Sequence, residues 1–304
     1  MKREIVKIKS LQDGLLLDTL IVYPDKNVKG IIQISHGMAE YKERYEPFMN
    51  FMAQNGYVSI INDHRGHGKS ILNNNDLGYF YDESSNYIVE DLHQITDYIK
   101  NKYPNKKIIL LGHSMGSMVV RKYIKKYDSD IDKLIVSGSP SKNQFVDIAI
   151  LLAKIIKLFK GDKYRSKLIQ KLAFGNYNKN IKEINSQNDW LCTDSKVVFD
   201  YDNDDNCGFI FTTNGFINLF KLMKDIYTKN KWKLNNKDLD ILFIAGSDDP
   251  VIVSKEEWMN SQKFLKELGY KNITNHLYKG MRHEILNEKD KLKVFNDILE
   301  FIKK

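Results

Sequence analysis

The sequence predicts one α/β domain whose mainly parallel central sheet is flanked by helices and interrupted by a helical insertion. Three observations support this fold class. Short apolar runs alternate with helical patterns over residues 1–140, the alternation stops over residues 141–236, and it resumes over residues 237–304. Such alternation is typical of βα units around a parallel sheet. The 304 residues could also form two modest domains, but the return of the alternation favours an insertion.

Five strands and three helices are predicted in the first part of the domain, residues 1–140. The strands cover Leu15–Val22, Gly30–Ser35, Tyr57–Asn62, Lys107–Leu111 and Lys133–Ser137. The helices between them cover Arg44–Asn55, Ile88–Lys102 and Met115–Tyr127. Several strands are almost wholly apolar, as expected where helices cover both faces of a sheet.

The insertion, residues 141–236, contains helical patterns without clear strands, and we interpret it as a helical cap. Its first helix is predicted at Gln144–Lys160. The second part of the domain, residues 237–304, completes the sheet with strands at Leu239–Ile244 and Thr274–Tyr278. Helices are predicted at Lys255–Leu268 and Lys291–Lys303.

Composition limits the classes of function. Hydrophobic residues make up 42% of the chain and the formal net charge is +8. No compact basic run with interleaved aromatic residues occurs, and neither does a P-loop spacing, so no nucleic-acid partner is expected. The longest apolar run, Ile148–Ala153, is too short to span a bilayer, and Cys192 and Cys207 are too few for a disulfide framework. We therefore expect a cytoplasmic protein, at most peripheral at membranes, without a cofactor.

A candidate nucleophile, Ser114, lies in the pentapeptide GHSMG at residues 112–116. The motif G-x-S-x-G is weak by itself, but here it joins a predicted strand to a predicted helix, which is the context of a nucleophile elbow. The flanking glycines allow a sharp turn, and the helix N-terminus favours negative charge that develops beside the serine. The pattern therefore predicts a serine nucleophile rather than a simple helix N-cap.

A serine nucleophile needs a base that takes its proton and an acid that orients the base. In strand–turn–helix hydrolases the chain order is serine, acid, histidine. His276 and His283 both lie late enough in the chain, and His283 is favoured because it follows the last predicted strand in a loop. The acid is expected in the loop after the preceding strand, where Asp248 and Asp249 both qualify on chemistry alone.

Ester or amide hydrolysis also needs donors for the oxyanion that forms on the attacked carbonyl. The N–H of Met115, just after the nucleophile, is one predicted donor. The second is expected in the loop after Gly30–Ser35, and we assign it to the N–H of Met38, with Gly37 allowing close approach of the backbone.

The stretch DHRGHGKS at residues 63–70 suggests a metal site as an alternative. Asp63, His64 and His67 have side chains that bind zinc in other proteins. Zinc hydrolases, however, need further ligands at matched positions, and no HExxH motif occurs. A glycine-rich turn after a buried strand is favoured, and no metal is expected.

Five motifs together resemble those of the monoglyceride lipase and lysophospholipase family of α/β-hydrolases, over nearly the whole chain. They are HGMAE at 36–40 followed by Arg44 and Tyr45, DHRGHGKS at 63–70, GHSMGS at 112–117, GSDDPV at 246–251 and GMRHEILNE at 280–288. The resemblance implies the α/β-hydrolase fold and a triad of Ser114, Asp249 and His283, because Asp249 matches the register of the family's acid. It likewise implies Met38 and Met115 as oxyanion donors.

The insertion resembles the family's cap, with departures. Residues 189–194, DWLCTD, are similar to its W-L-S-R-D stretch but carry Cys192 and Thr193 where serine and arginine are usual. Residues 201–209 are similar to its Y-x-x-D-x-x-C-G-F segment, in a form closer to bacterial members. The resemblance implies a lipid-like ester substrate, a monoacylglycerol or a lysophospholipid, cleaved through an acyl-enzyme on Ser114.

The start of the insertion combines apolar and basic character. Residues 141–171 carry eight basic and only two acidic side chains, around the wide apolar surface of Gln144–Lys160. Either this surface packs on the core with its lysines in solvent, or the segment covers the active site and contacts anionic membrane surfaces. An apolar lid over a serine nucleophile favours a substrate with an acyl chain.

Two other functions stay open at this point. A serine peptidase that acts at an N-terminus would need an acidic pocket for the ammonium group, for which Asp202, Asp204 and Asp205 are candidates. A non-catalytic ligand-binding protein on the same fold is disfavoured, because such proteins commonly lack a triad member and none is missing here.

Overall fold

The computed structural model of the protein describes residues 1–25 and 27–304. Within these residues an eight-stranded sheet has the order β1-β2-β4-β3-β5-β6-β7-β8. The strands are β1 (Lys2–Lys9), β2 (Leu16–Tyr23), β3 (Gly30–Ser35), β4 (Tyr57–Asn62), β5 (Ile108–His113), β6 (Lys133–Ser137), β7 (Asp240–Gly246) and β8 (Ile273–Tyr278). Strand β2 pairs antiparallel with β1 and β4, and the remaining neighbours are parallel. The predicted mainly parallel sheet is confirmed.

Helices cover both faces of this sheet. They are α1 (Glu46–Gln54), α2 (Tyr87–Lys102), α3 (Met115–Tyr127), α4 (Val146–Lys160), α5 (Lys167–Phe174), α6 (Ser195–Asp202), α7 (Thr213–Asp225), α8 (Lys255–Leu268) and α9 (Lys291–Lys303). Alternate residues of one strand pack into opposite layers: Ile31 belongs to the core with α2, α3 and α8, whereas Ile32 belongs to the core with α1 and α9. This explains why the central strands are apolar at nearly every position.

One strand, β1, lies outside the predicted set. It pairs with β2 at the edge of the sheet, where only Val6 and Ile8 of its apolar side chains are half-buried against the core. The other residues of the strand are mostly charged and exposed, as is common for an edge strand. The short apolar alternation among lysines explains why the sequence pattern alone did not predict it.

Helices α4 to α7 lie between β6 and β7, in the predicted insertion. Helix α4 packs along α7 through Val146, Ile150 and Ala153, and α7 packs in turn on α3. In the described part of the chain, no helix combines the length and apolar character needed to cross a membrane. The carboxyl ends of β3, β5, β6 and β7 meet at one edge of the sheet, where α/β proteins commonly place their ligand sites.

Candidate active site

Ser114 lies at the turn between β5 and α3, as its motif predicts. Its φ of 53° and ψ of −117° are strained for a residue other than glycine, at a cost of about 1–3 kcal/mol. A side chain at Gly112 would overlap the carbonyl of Gly116, and one at Gly116 would overlap the carbonyl of Ser35 in β3. The N–H of Ser114 donates to the carbonyl of Ser137 at the end of β6 (3.0 Å). The close packing at the two glycines and this hydrogen bond hold the partly exposed serine at the edge of the sheet.

His283 and Asp249 form a buried pair. Nδ1 of His283 lies 2.9 Å from Oδ2 of Asp249, whose Oδ1 accepts a hydrogen bond from the N–H of Val251 (2.9 Å). Because a carboxylate can only accept here, Nδ1 carries the hydrogen and Nε2 is the basic nitrogen of the neutral ring. Nε2 is buried and has no hydrogen-bond partner among the described residues. It is therefore available to accept a proton.

The environment of His283 shifts its pKa upward. Burial lowers the pKa because it penalises the charged imidazolium, but the negative charge and hydrogen bond of Asp249 raise it by more, with help from Glu284 and Glu40. The net result is a pKa above the ordinary value of 6.5. Such a shift makes His283 a stronger base when it is neutral.

Shared neighbours bring Ser114 and His283 together. The ring centroid of His113, the residue before the serine, lies 4.6 Å from that of His283. Gly138, at the end of β6, backs the same imidazole, since a Cβ at Gly138 would lie 3.1 Å from Nδ1 of His283. On the other side, a Cβ at Gly37 would lie 3.2 Å from Cβ of Ser114. The predicted serine, acid and histidine are thus gathered at one end of the sheet.

The structure places the two alternative residues differently. Asp248, which also qualified as the acid, is exposed, and its Oδ1 accepts a hydrogen bond from the hydroxyl of Ser247 (2.7 Å). His276 is exposed on β8, with its ring 4.4 Å from that of Tyr278. Only His283 and Asp249 combine burial with mutual contact.

Met38, in the loop after β3, and Met115, the first residue of α3, lie in the two segments where oxyanion donors are expected. In the described chain, neither backbone N–H donates a hydrogen bond to a protein acceptor. The loop of Met38 is held by its neighbour Ala39, which has a φ of 51°. The carbonyl of Ala39 accepts hydrogen bonds from the hydroxyl of Tyr201 (2.9 Å) and the N–H of Gly208 (3.0 Å). Residues of the insertion therefore help to shape this loop.

A buried ion cluster that we term the Arg44 clamp, formed by Glu40, Arg44 and Glu284, joins two loops of the site. Nη1 of Arg44 donates to Glu40 Oε2 (2.8 Å) and Glu284 Oε1 (2.6 Å), and Nη2 donates to Glu284 Oε2 (2.7 Å). The cluster ties the loop of Met38 to the loop of His283. The sequence analysis assigned no role to these residues, although all three lie in the motifs at 36–45 and 280–288. The available signal was that charged residues of opposite sign, Arg44 and Glu284, lie in two of the motifs that carry the family resemblance.

The proposed alternative metal ligands are otherwise engaged. Rings of His64 and His67 pack against His36, with centroids 4.3 and 5.1 Å away, and all three are buried. Burial lowers the pKa of each imidazole, that of His36 to about 3. The Asp63 carboxylate accepts a hydrogen bond from the ammonium of Lys42 (2.8 Å). Among the residues that the structure describes, no group of three or more His, Cys, Asp or Glu side chains could hold a metal ion.

The insertion contacts the His283 loop directly. The Trp190 ring lies 5.0 Å from that of His283, and the Trp190 carbonyl accepts a hydrogen bond from the His283 N–H (3.4 Å). The guanidinium of Arg282 donates to the carbonyls of Asp189 (2.7 Å) and Cys192 (3.1 Å). The DWLCTD stretch at 189–194 therefore frames the imidazole.

Known proteins with related sequences match most of the chain. The family model described as serine aminopeptidase, S33 matches residues 26–290. A monoacylglycerol lipase of Mycolicibacterium smegmatis is 24% identical over 282 residues, which cover 92% of this chain and 90% of that protein.

Solved structures share the fold. A thermostable carboxyl esterase from Bacillus coagulans, in complex with glycerol, has a TM-score of 0.91 at 24% identity, covering 100% of this chain and 98% of that one. A soluble variant of monoglyceride lipase from Saccharomyces cerevisiae, in complex with a substrate analog, has a TM-score of 0.74 at 19% identity, covering 99% and 95%. These likenesses confirm the predicted α/β-hydrolase fold. With the family model matching residues 26–290, the chain belongs to the serine aminopeptidase S33 family of α/β-hydrolases, and the resemblance to monoglyceride lipases and lysophospholipases is confirmed.

Proposed function

We propose that the protein hydrolyses carboxylic esters of lipid-like substrates through an acyl-enzyme on Ser114. The observation that carries this proposal is the buried pair of His283 and Asp249 beside the strained turn of Ser114. Nε2 of His283 has no hydrogen-bond partner among the described residues. A serine in this setting has a base for its proton and a fixed acid that orients the base.

The reaction proceeds in two halves. Nε2 of His283 takes the proton of the Ser114 hydroxyl as Oγ attacks the acyl carbon, while Asp249 stays ionised and stabilises the imidazolium. The N–H groups of Met38 and Met115 stabilise the oxyanion, each by about 2.7–4 kcal/mol. The ester C–O bond then breaks, and the alcohol leaves with the proton from His283. In the second half His283 takes a proton from water, hydroxide attacks the acyl-enzyme, and Ser114 leaves with that proton as the carboxylic acid is released.

A lipid ester is the substrate class that the relatives support. The relatives named above are a monoacylglycerol lipase, a carboxyl esterase and a monoglyceride lipase. We assign to this chain a monoacylglycerol or a lysophospholipid, each of which carries one acyl chain and a polar alcohol. Residues 141–236 act as the cap in this proposal. They contact the reacting groups through Trp190, whose ring packs against the ring of His283.

The peptidase alternative has less support. It required an acidic pocket for an ammonium group, with Asp202, Asp204 and Asp205 as candidates. Asp202 and Asp205 are exposed. The carboxylate of Asp204 accepts a hydrogen bond from the hydroxyl of Tyr41 (2.6 Å). Two of the three candidate carboxylates are therefore exposed to solvent, and the third already binds a protein hydroxyl.

A substrate panel tests the proposed function. Purified protein would be given a monoacylglycerol, a lysophosphatidylcholine and an aminoacyl p-nitroanilide, with Ser114→Ala as the blank. We expect the esters to be hydrolysed, with kcat/KM at least tenfold above that for the anilide. Preferential cleavage of the aminoacyl substrate would contradict the proposal and favour the peptidase.

The cap also presents an apolar face to solvent, which we propose contacts anionic membrane surfaces. We term it the outer apolar patch, and its exposed members, all at α4, are Phe145, Ile148, Leu151, Ile155, Leu158 and Phe159. The inner side of α4 packs on α7, so the packing expected from the sequence accounts for only part of the apolar surface. The same segment of the chain, residues 141–171, carries exposed lysines that form no ion pair within the described residues: Lys142, Lys154, Lys160, Lys167 and Lys171. Apolar and basic side chains in this combination suit the interface of an anionic bilayer.

Vesicle flotation tests membrane contact. The wild-type protein should float with vesicles containing anionic lipid and less with neutral vesicles. Leu158→Asp, at a side chain 80% exposed in the patch, should reduce flotation at least fivefold. Leu11→Asp, 81% exposed but outside the patch, is the matched control and should float like wild type. Equal flotation with neutral and anionic vesicles, or equal loss in the control, would contradict the proposal.

A further inference from the structure

Arg121 is a fully buried cation on α3, two helical turns beyond Ser114. Its Nη1 donates to the hydroxyls of Ser139 (3.2 Å) and Tyr227 (3.3 Å). The guanidinium carbon lies 4.5 Å from the centroid of the Tyr227 ring. Nε and Nη2 are buried and have no hydrogen-bond partner in the part of the chain that the structure describes. Two donor groups of the guanidinium, Nε and Nη2, thus have no acceptor among the described protein atoms.

The other buried cations of this molecule show how it normally compensates such charge. Each forms at least one ion pair with a carboxylate: Lys42 with Asp18 (2.7 Å) and Asp63 (2.8 Å), Arg65 with Asp13 (2.9 Å) and Asp91 (2.8 Å), and Lys133 with Asp240 (3.0 Å). The partly buried Arg44 binds two carboxylates as well. Among the described residues, Arg121 is the buried cation that no carboxylate neutralises.

The physical cost of this arrangement points to a bound counter-ion. A guanidinium keeps its proton in proteins, so Arg121 cannot become neutral when it is buried. Buried charges are normally paired because removing an ion from water is expensive. The face of the Tyr227 ring offsets only part of that cost. We infer that Arg121 holds a small monovalent anion, of the size of chloride, which accepts hydrogen bonds from Nε and Nη2.

The surroundings of Arg121 favour a small anion over a larger ligand. Ser139 is fully buried, and its hydroxyl oxygen accepts from Arg121, which leaves the hydroxyl hydrogen to donate to the same anion. The Tyr227 hydroxyl is already engaged, because it donates to the carbonyl of Pro140 (2.8 Å). A single buried positive charge between the buried Ser139 and the partly buried Tyr227 suits one small negative ion.

The site lies behind the catalytic edge. Ser139 follows Gly138, which packs on the His283 ring, and Pro140 is held by Tyr227. An anion on Arg121 would therefore connect α3, the loop at 138–140 and the chain after α7. Its first effect is on stability, and it does not depend on the proposed ester substrate.

Thermal unfolding of the full chain tests this inference. Gluconate would be replaced stepwise by chloride at constant ionic strength. Above the dissociation constant of the site, the midpoint should rise by about 2–4 °C for each tenfold increase in chloride. Crystals soaked in bromide should show anomalous scattering beside Nε and Nη2 of Arg121.

Variants separate this site from general salt effects. Arg121→Met should unfold at the same temperature in chloride and gluconate. Lys125→Met, which removes another cation of α3, should keep the wild-type response and serves as the matched control. If Arg121→Met does not fold, Ser139→Ala should fold and require more chloride for the same shift. Equal wild-type midpoints in both salts, without bromide at Arg121, would overturn the inference and leave water as the acceptor.

Discussion

Replacing Arg44 with methionine should destabilise the protein far more than removal of a surface ion pair. The variant keeps an unbranched apolar stem but removes the guanidinium, which leaves Glu40 and Glu284 without their shared cation. Their side chains are only 4% and 5% exposed, so bulk solvent screens their charges little. Removing one partner of a buried ion pair costs about 3–5 kcal/mol, a large part of the roughly 5–15 kcal/mol by which proteins are stable.

Urea unfolding followed by circular dichroism would measure this loss. With an unfolding slope of about 3 kcal/mol per molar urea, the Arg44→Met midpoint should fall by about 1–1.7 M. Arg3→Met is the control, because Arg3 pairs with Glu46 at 2.8 Å but is 45% exposed, and it should cost at most about 1 kcal/mol. Adding Glu284→Gln to Arg44→Met should restore part of the lost stability, because it removes one of the uncompensated charges. Equal losses for Arg44→Met and Arg3→Met would refute the reasoning.

Three further predictions concern the candidate acid, the candidate base and the turn that holds Ser114. Asp249→Asn should lower kcat by about 10⁴-fold, because an amide favours the wrong tautomer of His283. Asp248→Asn is the control and should change kcat little. Similar losses of kcat in both variants would contradict the assignment of the acid. Only neutral His283 can take a proton, so kcat/KM should fall as the pH drops through its raised pKa. The midpoint of that acidic limb is expected above 6.5, and a midpoint below 6.5 would argue against the Asp249 effect. Gly116→Ala should lower the unfolding temperature sharply, because its methyl group would overlap the Ser35 carbonyl; wild-type stability would show that the strand and helix are not so close.

The elements most accurately predicted from the sequence are those with strong local patterns. Apolar runs predicted β3, β4 and β6 with their observed bounds, and the same holds for the helical patterns of α3, α8 and α9. Strand β1 was not predicted, because an edge strand buries only alternate side chains and its charged residues mask the period. The sequence also could not show which face of α4 stays exposed to solvent, because a helix with apolar residues on several sides can pack through any of them.

Within the candidate site, the sequence analysis predicted the chemical groups but not the contacts between them. The order of serine, acid and histidine, together with the motif register, led to Ser114, Asp249 and His283. The Arg44 clamp joins residues 240 positions apart in the chain, Arg44 and Glu284, so no local pattern could pair them. Likewise, the sequence could not show that Arg121 has no carboxylate partner among the described residues, because this requires the three-dimensional neighbours of each buried charge.

Covalent labelling of Ser114 tests the central claim most directly. A fluorophosphonate reacts with a serine that an adjacent base activates, and intact-mass spectrometry counts the adducts. Wild-type protein should gain one adduct, located by peptide mapping at Ser114, and Ser114→Ala should gain none. Asp248→Asn is expected to label at the wild-type rate. An adduct that persists in Ser114→Ala, or that maps to another residue, would contradict the account.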